Sequence, residues 1–211
     1  MDFLWPEARR QLASYQPTET AEPRSLLFLA AEDADGAADA VREAALDLGR
    51  RAGAPVLLLD LALPANGQHG WFSVAGRLLP RRTPMAPPAA DRAVLHFQRV
   101  EESWLHVSRV EPDPAGFTEE VWAQAAEAMP RLLGLFGALV IAAPALAVSP
   151  GGLRLAPATD GVVLVIRYGA TSADAAVGLR DRVLGAAGKP VGVVMTHCPA
   201  GPVMHPMPWL A

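Results

Sequence analysis

Apolar runs of strand length alternate along most of the chain with Ala-rich stretches whose apolar positions recur at helical spacing. The pattern predicts strands over Ser25 to Ala30, Pro55 to Asp60, Ala93 to Gln98, Trp104 to Ser108, Ala138 to Ala142, Gly161 to Arg167 and Pro190 to Met195. Helices are predicted over Ala37 to Arg51, Phe117 to Phe136 and Ser172 to Ala187, with a short one from Trp71 to Leu79. In the first of these Val41, Ala44, Ala45 and Leu48 share one face, and Gly53 supplies a stop. Several strands are apolar without alternation, as strands covered on both faces are, so the fold class is α/β: a mostly parallel sheet flanked by helices. The organisation expected is an N-terminal arm with a short helix over 1–24, one domain over 25–197 and a Pro-rich tail over 198–211. Residues 64–91, rich in Pro, Gly and Arg, read mostly as loop.

Composition narrows the function classes. The chain has 211 residues and a net charge of −4, with 17 Arg but one Lys, Lys189. A chemistry that needs a motif lysine would therefore have to use Lys189. The mildly acidic balance without a basic run argues against nucleic acid as a partner. One cysteine makes no intrachain disulfide, and the start Met1-Asp2-Phe3-Leu4-Trp5-Pro6-Glu7 has neither the basic nor the apolar segment of a signal peptide, so a cytoplasmic chain is expected. Leu132 to Leu153 carries no charge and could span a bilayer by length, but Pro144, Pro150, Gly134, Gly137, Gly151 and Gly152 divide it into helix end, strand and loop.

From Leu26 to Phe72 the order of features becomes specific. An apolar strand runs into Ala30-Ala31-Glu32-Asp33-Ala34-Asp35-Gly36-Ala37-Ala38, a helix follows, and then Val56-Leu57-Leu58-Leu59-Asp60-Leu61-Ala62 with His69 further on. Phe136-Gly137-Ala138-Leu139-Val140-Ile141-Ala142-Ala143-Pro144 and Gly188-Lys189-Pro190-Val191-Gly192-Val193-Val194-Met195 come later in the same order. Over residues 7–197 the chain resembles the ATPase domain of bacterial exopolysaccharide-biosynthesis tyrosine kinases, within the deviant P-loop ATPases related to MinD and ParA. The resemblance implies a P-loop NTPase-like three-layer sandwich.

The residues that carry the family's chemistry are replaced. A P-loop cradles phosphate with backbone N–H groups, a Lys, and a Ser or Thr that holds magnesium. By the resemblance Ala37 stands at the Lys position and Ala38 at the hydroxyl position, while Ala31 and Gly36 remain of the loop. Glu32, Asp33 and Asp35 put carboxylates where a polyanion would sit. Asp60 is a remnant acid, with Ala62 in place of the family's second acid and Ala142 in place of the Walker B Asp. No catalytic residue, no metal and no bound cofactor are expected, and ATP with magnesium is disfavoured.

Of the family's Glu-x-x-Arg-x-x-Arg assembly pattern, Glu7 and Arg10 match and Ala13 does not; with Trp5 and Trp209 they are the candidate partner contacts. The chain has two tyrosines, Tyr15 and Tyr168, and none in its tail. His197-Cys198 with Met204, His205 and Met207 offers soft-metal ligand types but no zinc spacing, and His96 and His106 sit in predicted strands. The resemblance implies a catalytically inactive, pseudokinase-like regulatory or assembly subunit of exopolysaccharide biosynthesis and export. Its partners would be a membrane chain-length or co-polymerase protein, an active ATPase relative or copies of itself, and membrane association would come through a partner. The alternatives are a weak ATP-binding enzyme of the same family and a MinD-like positioning or scaffold protein.

Overall fold

The computed structural model describes residues 23–32, 36–62, 67–78, 94–101, 103–111, 118–199 and 203–205. Its strands are β1 (Ser25–Ala30), β2 (Val56–Asp60), β3 (Val94–Arg99), β4 (Leu105–Glu111), β5 (Ala138–Ala142), β6 (Gly161–Arg167), β7 (Pro190–Thr196) and β8 (Val203–His205). They form one sheet in the order β3-β4-β2-β5-β1-β6-β7-β8. The six strands from β4 to β7 are parallel, and antiparallel β3 and β8 close the two edges.

The helices are α1 (Ala37–Arg51), α2 (Gly67–Val74), α3 (Glu119–Leu135) and α4 (Ala173–Gly185), with a 3-10 helix at Pro150–Ala158. Alternation along the central strands explains why they read as uniformly apolar. Phe28 and Ala30 of β1 and Leu58 of β2 pack with Val41 and Ala45 of α1 and Phe72 of α2. Leu27, Leu29, Leu57 and Leu59 point the other way, to Trp122, Met129 and Leu132 of α3 and Leu179 and Val183 of α4. Each strand thus serves two cores, and the three layers follow.

Three expectations are corrected. The short helix expected at 71–79 lies at Gly67–Val74, because its N-terminus is fixed from a distance by Asp60 rather than by local pattern. The strand expected at Pro190 to Met195 is not the last: the Pro-rich tail contributes β8, which pairs with β7 through Val193, Val194 and Met195. The Pro-Gly-rich stretch after β5 is a 3-10 helix capped by Ser149, whose hydroxyl accepts from Gly151 N. Gly151 is required there, since a Cβ would fall 2.0 Å from Nε1 of the buried Trp122. Residues 132–153 contribute a helix end, a strand and this 3-10 turn, and among the described residues no helix is long and apolar enough to cross a membrane.

Candidate functional site

In a parallel sheet of this kind ligands bind beyond the carboxyl ends of the strands, where the chain turns to opposite sides of a central strand. That strand is β1, between β5 and β6. Its connection to α1 begins with Ala31 and Glu32 and ends at Gly36, which caps the helix with φ 70°, ψ 25° and no side chain; Asp33 and Asp35 lie outside the described residues. Gly36 O accepts from Asp39 N and Ala40 N, so the first turn is well formed. Ala37 and Ala38 stand on it as methyl groups, Ala38 exposed. Neither side chain can donate to a phosphate or hold a metal. Lys189 is at the opposite end of the sheet, before β7, where its carbonyl accepts from Val162 N.

Asp60 closes β2 and is buried to 1% exposure. Its Oδ2 accepts from Gln68 N at 2.9 Å and its Oδ1 from Ala62 N at 3.2 Å, while its own N–H donates to Ser108 Oγ. Burial raises its pKa above the ordinary Asp range, against the pull of the two backbone donors. In register beside it on β5 is Ala142, a methyl where the resemblance places an acid.

The connection between Asp60 and α1 is made by Gln68, which is 3% exposed. Its backbone N–H reaches Asp60, its Nε2 donates to Ala38 O at 2.7 Å, and its Oε1 accepts from Arg42 Nη1 at 3.4 Å. Arg42 also pairs with Asp39 and lies 4.4 Å from the Trp71 ring centroid. Asp60 therefore works as a long-range cap on α2, and an amide side chain spans the ground between the remnant acid and the first turn of α1. Among the described residues this donor set does not fit a magnesium-nucleotide: at the end of β2 and β5 one carboxylate, already accepting two amides, stands beside Ala38, Ala62 and Ala142, which offer no side-chain oxygen.

His197 approaches the loop from the other side. It follows β7 with φ 56°, and its ring lies against Gly36, where a Cβ would come within 2.8 Å of Cε1. Its Nδ1 is 3.0 Å from Thr196 Oγ1, which donates to Ile166 O. Of the other soft-metal ligand types, Cys198 Sγ faces the Met195 and Thr196 carbonyls, Met204 and His205 belong to β8, and Met207 lies outside the described residues. His96 pairs in register with Arg109 and His106 with Arg99, so the ladder does not bring the two histidines together. His106 Nδ1 is 3.1 Å from Trp104 O and its ring meets Phe136; burial lowers its pKa.

Sequence reading passed over Gln68, Arg42, Ser108 and the role of His197. The one local signal was the polar island Asn66-Gly67-Gln68-His69 after an apolar strand. Glu7, Arg10, Trp5 and Trp209 lie outside the described residues.

No family model and no curated protein matches the sequence. Solved structures do match the fold. The chimerical protein CapA2B2 superposes with a TM-score of 0.67 at 18% identity, covering 90% of this chain and 82% of that one. The kinase domain of the Escherichia coli tyrosine kinase ETK gives 0.64 at 15% identity, over 90% and 71%. The VpsO kinase domain gives 0.62 at 18% identity, over 90% and 97%. At these identities the likeness is one of fold alone, a mostly parallel α/β sheet flanked by helices.

Proposed function

We propose that this chain is a non-catalytic relative of the bacterial tyrosine kinase domains, a regulatory or assembly subunit in exopolysaccharide biosynthesis and export. It acts by contact with a membrane chain-length or co-polymerase protein, or with an active ATPase relative, and reaches the membrane through that partner. The observation that carries the reading is Gln68: its side chain bridges Ala38 O and Arg42 while its backbone engages Asp60. What would be a metal-binding acid in an active site serves here to hold a helix. The methyl groups of Ala37, Ala38, Ala62 and Ala142 agree with it, as does the seat of His197 on Gly36.

Titration calorimetry of the full chain with ATP and magnesium tests the reading. No heat of binding and no phosphate release are expected. Micromolar binding with turnover would establish the alternative, a weak ATP-dependent enzyme. The partner is tested separately, by co-purification with a chain-length protein or an active kinase encoded in the same gene cluster; absence of any such complex would remove the assembly role.

A further inference from the structure

The two ends of the sheet differ in charge, and the difference lies away from the site described above. Helix C-termini and strand starts share the amino end. There α1 finishes with Arg50 and Arg51, α3 carries Arg131 in its last turns, and α4 carries Arg182. The strands add Arg24 before β1, Arg99 at the end of antiparallel β3 and Lys189 before β7. Against these stand Asp47, Asp160, Glu101 and Asp181. Asp47 is buried and paired with Arg51, and Asp160 is engaged by Ser25 Oγ and the backbone amides of Arg24 and Ser25. Among the described residues, one end of a chain of net charge −4 thus carries an excess of cations contributed by all three layers.

The same end exposes large apolar side chains. Trp104 in the β3–β4 turn is 44% exposed with Arg99 stacked 5.4 Å from its centroid, Leu135 at the end of α3 is 67% exposed and Leu184 at the end of α4 is 48% exposed. They stand singly, on three different elements, among arginines whose aliphatic stems can lie along an apolar boundary. We propose that this end face also docks directly on an anionic lipid bilayer, a contact beyond the one made through the partner.

Charge complementarity selects the occupant. Cations spread over a whole end suit a fluid surface whose headgroups move to meet them, with isolated Trp and Leu side chains entering the interface. A protein partner would instead call for a contiguous apolar centre. The acids of the opposite end do not cancel the attraction: a six-residue strand holds the ends about 20 Å apart, and charge is screened over about 8 Å at physiological ionic strength.

The test is flotation of the full chain with vesicles of phosphatidylcholine containing roughly one-third phosphatidylserine, against phosphatidylcholine alone. Binding is expected to the anionic vesicles only, and to be lost between about 50 mM and about 500 mM salt. Arg131→Glu with Lys189→Glu should lower the partition coefficient about 25-fold or more, about fivefold for each cation removed. Arg154→Glu with Arg167→Glu makes the same charge change toward the other end and should leave binding within about twofold; circular dichroism confirms that both variants are folded. Wild-type chain that stays off the anionic vesicles overturns the proposal, as does equal loss in the two variants. Binding to poly-glutamate but not to vesicles would also overturn it, assigning the end to an acidic protein segment.

Discussion

Replacing Gln68 with Ala tests whether the bridge between the remnant acid and α1 carries energy. The substitution removes the bond from Nε2 to Ala38 O, worth about 1 kcal/mol net. It also removes the 3.4 Å contact with Arg42, about 0.5 kcal/mol at that length and with Arg42 retaining Asp39. The one buried methylene lost, Cγ, adds about 0.8 kcal/mol, and regained rotamer freedom offsets about 1 kcal/mol. The expected loss is about 1.3 kcal/mol, a fall in Tm of about 3–5 °C for a chain of this size. Urea or thermal unfolding measures it, and Trp71 fluorescence should redshift as the Arg42–Trp71 stack loosens. Gln68→Leu, which keeps the volume and loses the bonds, should cost about half as much. A loss below about 0.5 kcal/mol for Gln68→Ala, with Trp71 emission unchanged, would refute the argument that Gln68 holds α2 against α1.

Three further outcomes are expected. Because burial raises Asp60's pKa, the native state binds more protons than the unfolded chain in the interval just above the ordinary Asp range, so Asp60's contribution to stability declines as pH rises through it; Asp60→Asn should flatten that slope in urea titrations across the interval. His106 has the opposite sign: with its native pKa lowered by burial, stability falls as pH drops from the ordinary His value through the lowered one, and His106→Phe should remove that component. Gly36→Ala should cost about 1–2 kcal/mol for left-handed backbone alone, plus a clash with the His197 ring that Gly36→Ala/His197→Ala relieves, a coupling that a double-mutant unfolding cycle reads directly.

Much of the fold could be read from the sequence because its signals are local. Runs such as Val56-Leu57-Leu58-Leu59 and Val162-Val163-Leu164-Val165 are buried on both faces, and only a covered parallel sheet tolerates that. The α1 boundaries, Ala37 and Arg51, came out as the apolar spacing and Gly53 predicted. Where boundaries slipped, the deciding contact was distant. Helix α2 starts where Asp60, eight residues back, caps it, and β8 exists because β7 has an edge to pair with.

The candidate site divides along the same line. Which side chains were missing was legible residue by residue: the side chains of Ala37, Ala38, Ala62 and Ala142 have no donor or ligand atom in any fold. What took up the vacated interactions was not. Gln68 meets Ala38 across 30 positions and His197 meets Gly36 across more than half the chain, and neither pairing leaves a periodicity or a spacing in the sequence. Likewise the net charge of −4 was plain from composition, yet its separation into a basic amino end came only when the strand directions, parallel for β1 and β7 and antiparallel for β3, brought Arg24, Arg50, Arg99, Arg131, Arg182 and Lys189 to one end. Composition and pattern are sums over neighbours, so they determined the elements and the absent chemistry; the direction in which each strand runs decided which residues met.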